Sequence, residues 1–174
     1  MTKRITISTL DAMKSSGDKF VMITAYDATF ARLASEAGAE TILVGDSLGM
    51  VLQGHETTIP VSLDAMVYHT ECVARAKPRS LIVADLPFMS FSNSDDALHA
   101  STQLMQAGAQ MVKLEGGTWL SDSINRLVER GVPVCAHLGL TPQSVNVFGG
   151  YRVQGRTPKE AKSILADAVE IQDA

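Results

Sequence analysis

The sequence predicts an α/β fold built on a parallel sheet, and three observations carry that expectation. Five short runs rich in Val, Ile and Leu recur along the 174 residues without strict alternation, at 20–24, 41–45, 81–84, 110–114 and 132–136. Segments of helical spacing separate them. The helix-end signals also repeat: Glu36-Ala37-Gly38-Ala39-Glu40 before the second run, Gln106-Ala107-Gly108-Ala109-Gln110 before the fourth, and Glu129-Arg130-Gly131 before the fifth. A strand buried on both faces reads as continuous apolar sequence, and strand–helix–strand order demands right-handed crossovers. A doubly wound sheet and a (β/α)8 barrel both satisfy this order, and the regular helix ends suit the barrel better.

Between the first two runs, residues 27–37 place Phe30, Leu33, Ala34 and Ala37 on one helical face. Residues 64–76 do the same with Met66, Val67, Val73 and Ala74 before the third run. Residues 94–107 and 121–130 each open on a capping-type serine and close near Gly108 or Gly131. Three stretches, 47–63, 87–93 and 138–157, are too long for plain connections, and all follow strands. Loops after strands form the active-site face of a (β/α)8 barrel, so elaboration there points to catalysis.

Composition narrows the function classes. Apolar residues make up 45% and charged residues 20%, the balance of an ordinary globular domain, and with no linker-like segment the expectation is one domain over residues 1–174. Fifteen Lys and Arg against nineteen Asp and Glu give a formal net charge of −4, which offers nothing to nucleic acid. Cys72 and Cys135 stand far apart without a CxxC or Cys/His cluster, so neither a disulfide framework nor a zinc site is expected, and a reducing cytoplasm fits. No run approaches the roughly 18 apolar residues of a membrane span, and no signal peptide is read.

The informative polar residues terminate the strands. The second run ends in Gly45-Asp46-Ser47, the third in Ala84-Asp85, the fourth in Lys113-Leu114-Glu115 and the fifth in Ala136-His137. Carboxylates converging from three strands repel one another unless a cation neutralises them, and an all-oxygen set favours Mg²⁺ over zinc. The bland alternative is that each acid caps the next helix. Asp85 argues against it, because Pro87 and Phe88 follow and the next helix starts only near Asn93. Glu115 does so too, since Glu is a poor N-cap and Gly116-Gly117 leaves room close to the backbone. Lys113 lies two residues before Glu115, so alternation points both the same way. A buried lysine needs an anion, either these acids or a substrate carboxylate. His137 is either a core histidine or a substrate contact, whereas His55, His69 and His99 show no ligand spacing.

Six runs together carry a resemblance: Val44-Gly45-Asp46-Ser47-Leu48-Gly49-Met50, Gly54-His55-Glu56-Thr57-Thr58-Ile59-Pro60, Asp85-Leu86-Pro87-Phe88, Val112-Lys113-Leu114-Glu115-Gly116-Gly117, His137-Leu138-Gly139-Leu140-Thr141-Pro142-Gln143 and Gly149-Gly150-Tyr151-Arg152-Val153-Gln154-Gly155-Arg156. In order and at strand ends, they resemble the motifs of the ketopantoate hydroxymethyltransferase family over essentially the whole chain. The resemblance implies a (β/α)8 TIM barrel with about the first five βα units present here. It implies transfer of a hydroxymethyl group from 5,10-methylenetetrahydrofolate to 3-methyl-2-oxobutanoate, giving 2-dehydropantoate for pantothenate synthesis, through a Mg²⁺-stabilised enolate.

By the same resemblance Asp46 and Asp85 ligate the metal, with Glu115 supporting it directly or through water. Ser47, Lys113 and His137, together with the two aspartates, hold the oxo acid. The general-base glutamate is expected beyond Ala174, so no catalytic base is assigned within these residues, Glu160 and Glu170 are read as a solvated helix face, and the 174 residues by themselves are expected to be poor catalysts. A large homo-oligomer, a decamer, is also implied. The rivals are a Mg²⁺-dependent oxo-acid enzyme of the phosphoenolpyruvate mutase and isocitrate lyase type, against which the HETT and YRVQGR segments argue, and a non-catalytic binding or assembly fragment.

Overall fold

A computed structural model describes residues 4–174 and contains five parallel strands in the order β1-β2-β3-β4-β5. The elements along the chain are α1 (Ile7–Ser16), β1 (Met22–Thr24), α2 (Ala28–Glu36), β2 (Thr41–Val44), α3 (Leu48–Val51), α4 (Leu63–Arg75), β3 (Leu81–Asp85), α5 (Ser94–Ala107), β4 (Met111–Glu115), α6 (Ser121–Val128), β5 (Val134–His137), α7 (Val145–Phe148) and α8 (Pro158–Asp173). A doubly wound sheet would reverse its strand order at a switch point. Here each strand lies beside its predecessor and the order never reverses, which is the winding of a barrel.

Local chemistry sets the helix starts. Asp27 caps α2 by accepting from the Thr29 and Phe30 N–H groups, Ser62 caps α4 through Ala65 N–H, and Asn93 caps α5 through Asp95 and Asp96. Thr157 and Glu160 form a reciprocal capping box at α8, where Pro158 takes the position that needs no N–H. The helix over α1 was not anticipated. Its signals were a Thr6–Thr9 capping pair and apolar Ile7, Leu10 and Met13 three apart, but none of its residues is fully buried, so its apolar stripe is thin.

Strand alternation divides the sheet into two faces. Ile42, Val44, Ile82, Ala84, Val112 and Leu114 pack into the main core with Met66 and Val73 of α4, Leu104 of α5 and Leu127 of α6. On the opposite face Leu43, Leu81, Val83 and Met111 pack against Ile5, Ile7 and Leu10, so α1 and Ile5, two residues before it, close the lower part of that face. The same face continues upward from Leu81 and Val83 to Asp85, from Met111 to Lys113 and Glu115, and from Cys135 to His137. Period two therefore turns an apolar lower half into a polar upper end on one side of one sheet.

Two expectations need correction. The first run was read as a strand buried on both faces, yet β1 is exposed throughout, with Met22 41% and Ile23 45% exposed. It has β2 on one side and no strand among the described residues on the other. For the same reason the expected inner face of α2 is not the observed one. Ala31, Ala34 and Ser35 are buried against α4 and β2, whereas Phe30 and Leu33 are 63% and 54% exposed. Among the described residues no helix is long and apolar enough to cross a membrane.

Truncating the closure beneath the inner face tests this account. Ile5 is 6% exposed and packs with Leu81 and Val83. Ile5→Ala is expected to lower unfolding stability by about 2–5 kcal/mol, as for other buried Ile truncations. Urea unfolding followed by circular dichroism measures it, and a loss under about 0.5 kcal/mol, the range of unimportant surface changes, would mean that α1 does not close this face.

Candidate active site

Register explains which side chains meet at the upper ends of the strands. Asp85 of β3 lies level with Lys113 of β4, and Glu115 of β4 lies level with His137 of β5. The first pair makes an ion pair of 2.5 Å, and the second brings His137 Nδ1 to 3.0 Å from Glu115 Oε1. An ionised carboxylate offers only lone pairs, so Nδ1–H donates to Glu115 and Nε2 is the free ring nitrogen.

Asp46 joins from the turn after β2, where its backbone N–H donates to Asp85 Oδ2 at 3.1 Å. Gly45 permits this approach. A Cβ there would lie 2.9 Å from Ser47 Oγ and 3.4 Å from Asp85 Oδ2. Ser47 Oγ in turn sits 2.9 Å from Tyr26 Oη. The glycine pair after β4 serves another element: a Cβ at Gly117 would fall 2.5 Å from Asp167 Oδ2 of α8, whose carboxylate accepts from Thr118 N–H and Oγ1–H.

The sequence reading missed Gln143. This buried residue donates from Nε2 to Asp46 Oδ2 at 2.8 Å and to the Leu86 carbonyl at 2.9 Å, and its N–H donates to Glu115 Oε2 at 3.0 Å. From the loop after β5 it ties the end of β4 to the turns after β2 and β3. Its one signal was an amide following Pro142 in a long loop after a strand, which is not distinctive. Tyr26 was missed because β1 ends in neutral residues. His69 Nδ1 lies 2.8 Å from the Tyr26 carbonyl, while His55 and His99 are exposed, so none of the three joins the site.

Three acids surround one lysine, and the electrostatics follow. Burial disfavours the Lys113 ammonium, but the charge of Asp85, its hydrogen bond, and the charges of Glu115 and Asp46 outweigh that and hold the lysine above its usual range. Burial likewise raises Asp85, with Lys113 and the Asp46 N–H offsetting it only in part. Asp85 is paired with Lys113 at 2.5 Å, whereas Asp46 has no ion-pair partner among the described residues. That carboxyl is pushed up to about 7, first by burial and then by the charge of Asp85, with Gln143 and Lys113 opposing. Beside them burial also raises Cys135, which remains a neutral thiol.

The site thus holds more acid than base, a donor set suited to a hard divalent cation. Asp46 keeps Oδ1 without a hydrogen-bond partner among the described residues, whereas Asp85 would have to share with the ion the oxygens that now accept from Lys113 and from the Asp46 N–H. Glu115 stands behind them, since His137 and the Gln143 N–H occupy its two oxygens, and among the described residues no three His, Cys, Asp or Glu side chains gather as a ligand set. Glu160 and Glu170 lie exposed on α8.

Comparison with known proteins bears on this arrangement. The family model described as ketopantoate hydroxymethyltransferase matches residues 4–174. The chain is 61% identical over 170 residues to a 3-methyl-2-oxobutanoate hydroxymethyltransferase of Burkholderia vietnamiensis, covering 98% of this chain and 63% of that protein. It is 59% identical to the enzyme of that name from Marinobacter nauticus, covering 98% and 64% respectively. The chain thus spans a little under two thirds of the length of these relatives. Among solved structures it is similar to 2,3-dimethylmalate lyase, described as a PEP mutase/isocitrate lyase superfamily member, with a TM-score of 0.65 and 16% identity over 94% of this chain and 59% of that one. That likeness shows the fold, five βα units of a TIM-barrel type.

The proton on Asp46 sets a pH dependence. The folded state keeps, up to about pH 7, a proton that an ordinary carboxyl releases near 3.8. Metal-free protein therefore loses stability as pH rises from about 3.8 to about 7 and stays at the lower level beyond. The loss is on the order of a few kcal/mol, at roughly 1.4 kcal/mol per pKa unit. Asp46→Asn is expected to flatten this slope, and denaturant unfolding with chelator at pH 5 and pH 8 measures it; equal slopes in parent and variant would place the proton elsewhere. Gln143→Met removes the hydrogen bond that lowers Asp46 and leaves the Leu86 carbonyl without that donor. It is expected to move the Asp46 titration, read by NMR, further up and to cost about 1–3 kcal/mol.

Proposed function

The chain belongs to the ketopantoate hydroxymethyltransferase family, and we propose that it carries the oxo-acid site for transfer of a hydroxymethyl group from 5,10-methylenetetrahydrofolate to 3-methyl-2-oxobutanoate, giving 2-dehydropantoate. The observation that carries this reading is the convergence of Asp46, Asp85 and Glu115 on Lys113, a buried surplus of negative charge that can accept a hard cation together with a chelating 2-oxo acid. Asp46 and Asp85 would hold Mg²⁺ and Glu115 would support it through a water. Bound there, the ion would supply Lewis-acid polarisation of the keto oxygen.

The chain's own residues do the rest. Lys113, held by Asp85, places a permanent cation where the substrate's anionic end and the charge developing as C3 loses its proton need it. His137 is oriented through Nδ1 by Glu115, and its Nε2, when protonated, can donate to a substrate oxygen. Ser47, steadied by Tyr26, supplies a hydroxyl at the end of β2. The family resemblance assigns the base that removes the C3 proton to none of these 174 residues; such a base typically contributes about 10²–10⁴-fold. A single domain over residues 1–174 forming part of the barrel, a cytoplasmic location, consistent with free Cys72 and Cys135, and a large homo-oligomer complete the reading.

The phosphoenolpyruvate mutase type of chemistry rests on a fold shared at 16% identity, and fold alone does not assign chemistry. Sequence identity of 61% to a named hydroxymethyltransferase favours the reading above.

Calorimetry of Mg²⁺ and 3-methyl-2-oxobutanoate binding tests it. Each is expected to bind more tightly in the presence of the other, and Asp46→Ala to abolish that coupling. Lys113→Met is expected to weaken oxo-acid binding by at least about tenfold, the effect of losing one charge-assisted contact, and Mg²⁺ binding by less. Unchanged metal-dependent oxo-acid binding in both variants refutes the site; binding intact without turnover supports the non-catalytic alternative.

A further inference from the structure

A second cavity is not at the acidic end of the strands. It lies at the opposite end of the sheet, outside the strands, between the C-terminal ends of α2 and α4 and the segment leading into β3, and has a volume of about 910 Å³. Arg4, Arg32, Lys77 and Arg79 line it, with Glu36 as the one acid among the described residues there. Two helix C-termini add about half a negative charge each. Even so, four cations leave a surplus of about two positive charges, in a chain whose net charge is −4.

Arg4, Arg32 and Lys77 are exposed where they line the cavity and Arg79 is half-buried, and two details bear on how the last two are placed. Arg79 Nε is shut off from solvent and has no hydrogen-bond partner among the described residues, so any contact from Arg79 to an anion in the cavity falls to its Nη groups. The Arg79 backbone is fixed on both sides, its N–H donating to Ser35 Oγ at 2.9 Å and its carbonyl accepting from Ile5 N–H at 2.7 Å. Lys77 has φ +50°, a left-handed conformation at the end of α4 where glycine is the favoured residue. A lysine therefore stands at the cavity against the local backbone preference.

We propose that this basal cavity binds the phosphate group of a small molecule. A phosphate dianion matches the surplus charge, its oxygens accept from the guanidinium groups of Arg79 and Arg32 and from the Lys77 ammonium, and the volume beyond them has room for an organic tail. The site is built from α2, α4 and the start of β3 and uses none of Asp46, Asp85, Lys113, Glu115 or His137. It therefore stands whether or not the hydroxymethyltransferase reading does.

The test is ³¹P NMR and calorimetry of the whole protein with inorganic phosphate and with glycerol 3-phosphate, at fixed ionic strength set by chloride. Saturable binding of at least one probe is expected, weakened about tenfold or more in Arg79→Gln. Lys77→Gly, which suits the backbone and so keeps the fold, is expected to weaken it as well. Tighter binding of the ester identifies a phosphorylated metabolite as the ligand; tighter binding of inorganic phosphate identifies the free anion. Non-saturable binding that chloride suppresses equally, or undiminished affinity in Lys77→Gly, overturns the proposal.

Discussion

The surplus of buried negative charge at the upper ends of the strands is the constraint on which the rest of the site depends. Asp46, Asp85 and Glu115 share one lysine, and removing charges from water is costly unless each is paired. The fold answers this in three ways at once. Lys113 stays ionised between its neighbours, Gln143 donates to two of the three acids, and Asp46 retains a proton up to about pH 7. Each response is a hydrogen-bonded substitute for a cation, and a site that must substitute in this way is ready to exchange a proton for a metal ion.

Geometry makes the cluster possible with very little sequence. Parallel pairing places Asp85 beside Lys113 and Glu115 beside His137, so one register fixes both contacts. Moving β4 by a single residue would turn Lys113 and Glu115 toward the helices and bring Leu114 to the inner face. The apolar lower half prevents that slip, because Val112 and Leu114 belong to the helix-covered core and Met111 to the cluster under α1. Packing at one end of the sheet thus holds the charges at the other.

That division also explains what could be read from the amino-acid sequence. Strand ends carrying Asp46, Asp85, Lys113, Glu115 and His137 were legible because a charged residue interrupting an apolar run is conspicuous, and the structure brings those five together. Gln143 was not, since a loop amide becomes significant only once its three partners are known. The exposure of Phe30, Leu33 and β1 was illegible for a different reason: hydrophobic periodicity shows which face is apolar but not whether a neighbour covers it. The cations of the basal cavity lie on three separate segments, and Lys77 and Arg79 look in sequence like ordinary residues of a turn.

β3 joins two regions of opposite charge, with Arg79 two residues before it and Asp85 at its last position. Six residue steps at about 3.3 Å each separate them by roughly 20 Å. That is about twice the distance over which salt screens exposed charges, roughly 8–10 Å at physiological ionic strength. The basal cations therefore cannot neutralise the acids at the far end, however favourable the net charge of the whole chain looks. Each cluster must be balanced locally, the acidic one by Lys113, a proton or a cation, and the basic one by an anion within its own cavity. The two ends of the sheet are thus best understood as separate electrostatic problems solved on one scaffold.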